Sequence, residues 1–288
     1  MIKQKFRKIK IKLIDLYKVL RWGKVLTLNY KGLKLNFSLD SKLSRYWFLP
    51  RYQGGNVHEP MICDILEGFA KRYPDGIFFD VGANVGFFTV LGSGYFKSVH
   101  SFEMDPRLVS IIKEHFNYNL ILEDKNIFIV NAAIMDQTKG NVSFSPSIED
   151  ELVQELIHAI NKVDVVKKDK ICFYPVSLSL GDYINNNEGP NILKMDIEGA
   201  EYFALKGMED YIEKELPSII LEIHPANVKS FGGDFKDILT KFKSLGYVLY
   251  CLDHRIGKTI DQELIEKQNL NAVIYFTHPN SKNYYEYN

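Results

Sequence analysis

Four carboxylates and one histidine carry the chemistry that this sequence can do: Asp80, Glu103, Asp196, Glu198 and His224. Asp80 opens the turn Asp80-Val-Gly82-Ala-Asn84-Val-Gly86, directly after the apolar run Ile77–Phe79. An apolar, helix-compatible segment, Phe87 to Leu91, follows it. A buried parallel strand, a glycine turn and a helix, in that order, make a nucleotide-binding crossover. Glycines at 82 and 86 let backbone come close to a ligand, and the helix start behind them offers unpaired N–H groups. A dinucleotide fingerprint needs three glycines, and with Gly82 as the middle one its outer positions hold Asp80 and Val85. A nicotinamide-dependent oxidoreductase therefore lacks its pattern here.

An acid just ahead of the glycine turn repels a pyrophosphate and suits a positively charged ligand. The amino group of S-adenosylmethionine (SAM) is such a ligand. One strand later, Ser98-Val-His-Ser-Phe-Glu103 ends in a carboxylate about twenty residues beyond the glycines, where an acid hydrogen-bonds ribose hydroxyls. Asn84 belongs to the same turn, and Ala132 follows a third strand whose heart is Ile127–Val130. A small residue at that strand end leaves room for adenine, and equally for a close strand–helix contact.

A fourth strand, Asn191 to Asp196, turns through Ile197-Glu198-Gly199-Ala200 into a helix that begins at Glu201. An acid in a first helical turn is favoured by the macrodipole alone. Lys194 faces away from Met195, toward an acid of the sheet. A fifth strand, Ser218 to His224, is stopped by Pro225. Alternation puts Glu222 and His224 on one face of it. In an open α/β sheet, groups at the carboxyl ends of the strands meet the ligand. Asp196, Glu198 and His224 are thus the candidate catalytic residues, with His224 or Glu198 as base. The same three make a mixed oxygen–nitrogen set of the kind a divalent ion takes; the base reading is preferred and no metal is assigned.

The elements that position these residues alternate strand and helix from residue 77 onward, so the class is α/β. Segments 247–252 and 272–276 are expected to close the sheet as an antiparallel edge pair. Helices are expected over Glu59–Lys71, Arg107–Asn117 and Asp234–Leu245. Ahead of them, residues 25–39 alternate about Lys31-Gly32 as a β-hairpin. Residues 1–24 are basic, with Phe6, Ile9, Leu13, Leu16 and Leu20 on one helical stripe. Such a helix either docks on its own domain or lies on an anionic membrane surface. The aromatic segment Ser44–Tyr52 lines an acceptor cleft or packs on the core. The division is 1–55 as an extension and 56–288 as the main domain, with the charged insertion 148–170 as a lid or a plain surface loop.

The chain has 288 residues, 46% hydrophobic, with 36 basic and 36 acidic residues. Zero net charge argues against a nucleic-acid partner. Three cysteines, Cys63, Cys172 and Cys251, form no CxxC pair and suit a reducing cytosol. No signal peptide and no run of 18 apolar residues is visible, which places the protein in the cytoplasm, at most peripheral to a membrane.

Four blocks resemble the FkbM-type SAM-dependent methyltransferases. They are Asp80 to Thr89, Phe102-Glu103 with Pro106, Leu193 to Glu201 with Leu205-Lys206-Gly207, and Leu221 to His224. Asn56 to Pro60 fits the family's lead-in. The chain departs from the family at Met104, where a proline is usual, and at Gly181, which precedes Asp182 where an acid is usual. The resemblance implies a class I SAM-methyltransferase fold, Rossmann-like and doubly wound, with SAM as donor and a hydroxyl acceptor. The expected function is O-methylation of a glycan or other sugar-containing acceptor. The alternative from another class is a non-catalytic scaffold of the same fold in a glycan-biosynthesis complex.

Overall fold

The computed structural model describes residues 23–55, 57–119, 126–141, 176–253, 258–261 and 271–287, and besides these Tyr17, Arg21 and Ile265. The basic stripe of residues 1–24, save its last few positions, and the insertion 148–170 lie outside the described residues, as does Cys172.

Val25–Tyr30 (β1) and Leu33–Ser38 (β2) form the expected hairpin, with Tyr30 opposite Leu33. Lys31 and Gly32 both have positive φ, 46° and 85°, the two left-handed residues that a tight hairpin turn requires. Leu26, Leu28, Leu35 and Phe37 bury one face of it. Leu49–Tyr52 (α1) follows, and the aromatic segment resolves toward packing. Phe48 and Tyr52 stack with each other, and both rings contact Phe87. Trp47 stays half-buried, with the Arg51 guanidinium over its ring.

Pro60–Arg72 (α2) starts on a proline, which tolerates the first helical turn because no N–H is needed there. Then come Ile77–Val81 (β3), Phe87–Tyr95 (α3), Ser98–Glu103 (β4), Pro106–Phe116 (α4) and Asn126–Asn131 (β5). Ala133–Met135 (β6), Lys139–Asn141 (β7) and Val176–Ser179 (β8) make a separate small sheet in the order β6-β8-β7. The remainder is Leu180–Ile184 (α5), Ile192–Met195 (β9), Glu201–Lys206 (α6), Glu209–Glu215 (α7), Ser218–Ile223 (β10), Pro225–Ser230 (α8) and Phe235–Ser244 (α9). Val248–Asp253 (β11), Lys258–Thr259 (β12) and Ala272–Thr277 (β13) finish it.

The main sheet has eight strands in the order β12-β11-β13-β10-β9-β3-β4-β5. From β10 to β5 every pairing is parallel. β3, β4, β9 and β10 are buried nearly throughout, as strands covered on both faces must be. The expected antiparallel closure is present and one strand larger. β13 lies inside against β10, β11 pairs with β13, and the two-residue β12 forms the edge.

Side chains alternate across this sheet and fill two apolar layers. Phe78, Ile192 and Ile220 pack with the hairpin, α2 and α3; Phe79, Leu193 and Leu221 pack with α6 to α9. The chain runs outward from β3 to β5, then returns to build β9 and β10 on the other side of β3. At such a reversal an open α/β sheet has the crevice in which its ligands bind, here beyond the carboxyl ends of β3 and β9.

Candidate active site

The residues singled out by their spacing converge on that crevice. Asp80 ends β3 on the hairpin face of the sheet, in register with Lys194 on β9 and Ser101 on β4. It is fully buried. Thr89 donates to its Oδ2 at 2.6 Å, while Oδ1 has no partner. Burial raises the Asp80 pKa; the Lys194 charge and the Thr89 hydroxyl work against that rise.

The turn that follows is held by the neighbouring strand. Gly82 and Ala83 both donate to the Phe102 carbonyl, at 2.9 and 3.1 Å. Gly82 (φ +80°) makes way for protein rather than for ligand, since a Cβ there would lie 1.9 Å from the Asp196 carbonyl oxygen. The same holds at Gly86, where a Cβ would meet the Ile112 side chain at 2.8 Å. Asn84 sits exposed in the left-handed region (φ 53°), and its N–H donates to Glu103 Oε2 at 2.8 Å. Glu103 Oε1 accepts the Asp105 N–H at 2.9 Å. Burial pushes the Glu103 carboxyl up to about 7, in spite of these two N–H donors. Ala132, buried at the end of β5, donates its N–H to the Glu103 carbonyl at 3.2 Å.

The second half of the site lies past β9 and β10. Lys194, 3% exposed, approaches Asp196 Oδ2 at 3.6 Å. Burial alone would lower its pKa; Asp196, Asp80, Glu59 and Glu222 outweigh burial and hold it well above the ordinary lysine range. Glu59 enters from the residue preceding α2, and Glu222 from the end of β10. Burial, with Asp196 and Glu59 adding to it, pushes Glu222 up to about 8.

His224 caps α8 and stands among carboxylates. Its Nδ1 donates to Glu201 Oε1 at 3.1 Å. Its Nε2 lies 3.5 Å from Glu198 Oε2, 3.9 Å from Glu222 Oε1 and 4.0 Å from Asp196 Oδ1. Burial would lower this imidazole too, but the Glu201 bond and the charges of Asp196, Glu201 and Glu198 push it up to about 9. Glu198, with φ 55°, carries its side chain into solvent, 69% exposed.

Alternation thus brings Glu222 and His224 together as expected, and Asp196 and Glu198 join them. Glu201 is the residue that sequence reasoning undervalued. It is fully buried, and its Oε1 also accepts the N–H groups of Ile197 and Gly199, so it shapes the turn that carries Glu198. Lys194 and Glu59 were likewise not placed in the site. The signal was present for one of them: a lysine inside the buried run Ile192–Met195 needs charged partners.

Six carboxylates (Glu59, Asp80, Asp196, Glu198, Glu201, Glu222) therefore gather around two groups that carry positive charge, Lys194 and His224. Asp80 Oδ1 and Asp196 Oδ1 are buried without a donor. Such a crevice fits a cationic ligand, and SAM, with its sulfonium and ammonium, is one.

No curated protein matches the chain. Among solved structures, methyltransferase FkbM from Methylobacillus flagellatus KT aligns at 16% identity and TM-score 0.42, covering 70% of this chain and 44% of that one. This chain therefore spans less than half the length of that protein. A TehB-like SAM-dependent methyltransferase from Corynebacterium glutamicum aligns at 12% identity and TM-score 0.39, covering 82% of this chain and 95% of the other. A SAM-dependent methyltransferase from Streptococcus mutans, so described provisionally, gives 14% identity and TM-score 0.44 over 88% of this chain and 55% of its own. The family model of the methyltransferase FkbM domain matches residues 80–249, from the acid that opens the glycine turn into β11. That match covers more than half of the sequence, has the doubly wound sheet expected of a class I SAM methyltransferase, and makes this chain a member of the FkbM methyltransferase family.

Proposed function

We propose that this protein transfers a methyl group from SAM to a hydroxyl of a glycan or other sugar-containing acceptor. The observation that carries the reading is the acid-rich crevice at the reversal of strand order, inside a chain of this methyltransferase family. The hydroxyl and the sugar are supported by the family resemblance; the half-buried Tyr46 and Trp47, the latter with Arg51 against it, are the aromatic surface that the Ser44–Tyr52 segment leaves for a sugar face.

SAM supplies a methyl on a sulfonium whose charge disappears as the methyl leaves. The chain's own residues do the rest. Glu103, at the tip of β4, is the acceptor for ribose hydroxyls, and its bonds to the N–H groups of Asn84 and Asp105 hold it in place. Asp80 is too deeply buried for direct contact and acts by fixing Thr89 and opposing Lys194. With SAM bound, the acceptor oxygen would take the methyl as the sulfonium leaves as a neutral thioether, and the hydroxyl proton would pass to Glu198. That carboxylate is the solvent-facing one of the cluster, with His224 holding it from behind. Removal of a positioned base costs about 10²–10⁴-fold in rate, and loss of alignment costs more.

The test is calorimetry with SAM and its demethylated product S-adenosylhomocysteine, followed by methyl transfer from radiolabelled SAM to sugar-bearing acceptors. Saturable binding with Glu198→Gln losing kcat but keeping cofactor affinity is the expected result. A folded protein that binds neither compound overturns the proposal; binding without transfer to any acceptor points to the scaffold alternative.

A further inference from the structure

We infer that Asp196, Glu201 and His224 form a divalent-cation site of the Mn²⁺ or Mg²⁺ kind at the acceptor end of the crevice. Each of the three offers one donor atom, and all of these atoms lie within 4.8 Å of one another. Two further observations point to a ligand. Glu201 is fully buried, and its Oε2 has no hydrogen-bond donor, although Oε1 is used three times over. Asp196 Oδ1 is buried and equally without a donor. A buried carboxylate oxygen with nothing to accept is costly and rare, and here two of them belong to one set of donors.

The distances around His224 say the same. With Nδ1 donating to Glu201, Nε2 points at oxygens of Glu198, Glu222 and Asp196 that stand 3.5, 3.9 and 4.0 Å away, and a cation bound there would take the place of the proton on Nε2. The last two are too long for hydrogen bonds. Two donors that share a small divalent cation at about 2.1 Å each lie roughly 3–4 Å apart. A histidine whose far nitrogen is tied to a carboxylate is also the usual form of a metal-bound imidazole, because that bond fixes the ring and its tautomer. One nitrogen with several carboxylates suits Mn²⁺ or Mg²⁺ better than the sulfur-rich sets that select zinc.

Sequence spacing alone grouped Asp196, Glu198 and His224; the fold replaces Glu198 by Glu201 as the buried third donor and leaves Glu198 at the solvent-facing rim. The role of the ion rests on the methyltransferase reading. A hydroxyl bound to it becomes easier to deprotonate, with Glu198 beside it to take the proton. The binding itself does not depend on that reading.

The full chain, freed of metal with a chelator, is titrated with MnCl₂ while the free Mn²⁺ signal is followed by electron paramagnetic resonance, with no SAM or acceptor present. One Mn²⁺ per chain, displaced by Mg²⁺, is expected. His224→Gln and Asp196→Asn each weaken it at least tenfold, while Asp182→Asn, outside the cluster, leaves it unchanged. Asp196→Asn matters most because it leaves Lys194 its other carboxylates, Asp80 and Glu59, whereas Glu201→Gln disturbs a turn. Absence of saturable binding overturns the inference, and so does binding that survives both His224→Gln and Asp196→Asn. S-adenosylhomocysteine is titrated into the same sample: its binding without Mn²⁺ binding removes the metal site alone, and its failure to bind removes the functional reading instead.

Discussion

His115 ties the glycine turn to the N-terminal hairpin, and its charge state sets a testable stability profile. It is fully buried in α4. Its Nδ1 accepts the Ser38 N–H at 2.9 Å, so the ring proton must sit on Nε2, which donates to the Val85 carbonyl at 2.8 Å. Protonation would set a second N–H against that of Ser38. Burial accordingly lowers this histidine from 6.5 to about 4, with the Val85 carbonyl opposing the shift. Between those pH values the unfolded chain binds a proton that the folded chain refuses, so stability rises with pH. The contribution is complete above 6.5 and lost as pH falls toward 4. At 1.36 kcal/mol per pH unit, the loss over that interval is about 3 kcal/mol.

The substitution His115→Phe keeps the ring volume and strands two backbone groups, costing roughly 2–5 kcal/mol near pH 8. Urea denaturation of both proteins from pH 8 to pH 4 gives the difference directly. The variant's deficit should shrink by about 3 kcal/mol across the range. His100, which burial also pushes down to about 4, is present in both proteins and cancels. Parallel stability curves, with a deficit that does not change with pH, would refute the assignment of a neutral, doubly bonded His115.

Three further outcomes follow from the same geometry. Glu103→Ala frees the N–H groups of Asn84 and Asp105 and removes the ribose acceptor, so affinity for S-adenosylhomocysteine in calorimetry should fall at least about tenfold. Gly82→Ala drives a Cβ onto the Asp196 carbonyl in a left-handed backbone; a loss of more than about 2 kcal/mol in denaturant unfolding is expected, along with loss of cofactor binding. Lys194→Met leaves Asp80, Asp196, Glu59 and Glu222 without their shared cation and should cost about 3–5 kcal/mol, part of which Asp196→Asn restores in the double variant.

Much of the scaffold was legible because single strands report their own surroundings. Ile77–Phe79 and Ser218–Ile223 are apolar enough to announce burial on both faces, and Lys31-Gly32 announces a hairpin. Pro60 marked the start of α2 and Pro225 the end of β10, though the short helix that Pro225 opens was not read. The edge was less legible. β5 alternates between exposed and half-buried residues, and the two-residue β12 is too short to carry any period. The insertion of β13 between β10 and β11 is a property of pairing and not of either strand.

The active site divides along the same line. Asp80, Glu103, Asp196 and His224 could be named because each ends a strand, and strand ends are readable locally. Their partners could not, because partnership is set by register. Asp80 meets Lys194 only because β3 and β9 are adjacent and aligned so that residue 80 faces residue 194. Nothing in the 113 positions between them encodes that proximity. Glu201 looked like an ordinary first-turn acid, and only the return of β10 beside β9 places His224 Nδ1 on it. The two glycines invert the local reading in the same manner. Both appear to clear a path for a ligand, and both in fact clear one for protein, at the Asp196 carbonyl and at Ile112. The close seating of Gly82 beneath Asp196 joins the two halves of the crevice, so a change that loosens the cofactor turn must also displace the acid cluster. Cofactor affinity and Mn²⁺ affinity should therefore fall together in Gly82→Ala and separately in Glu103→Ala, a pattern that two independent sites would not produce.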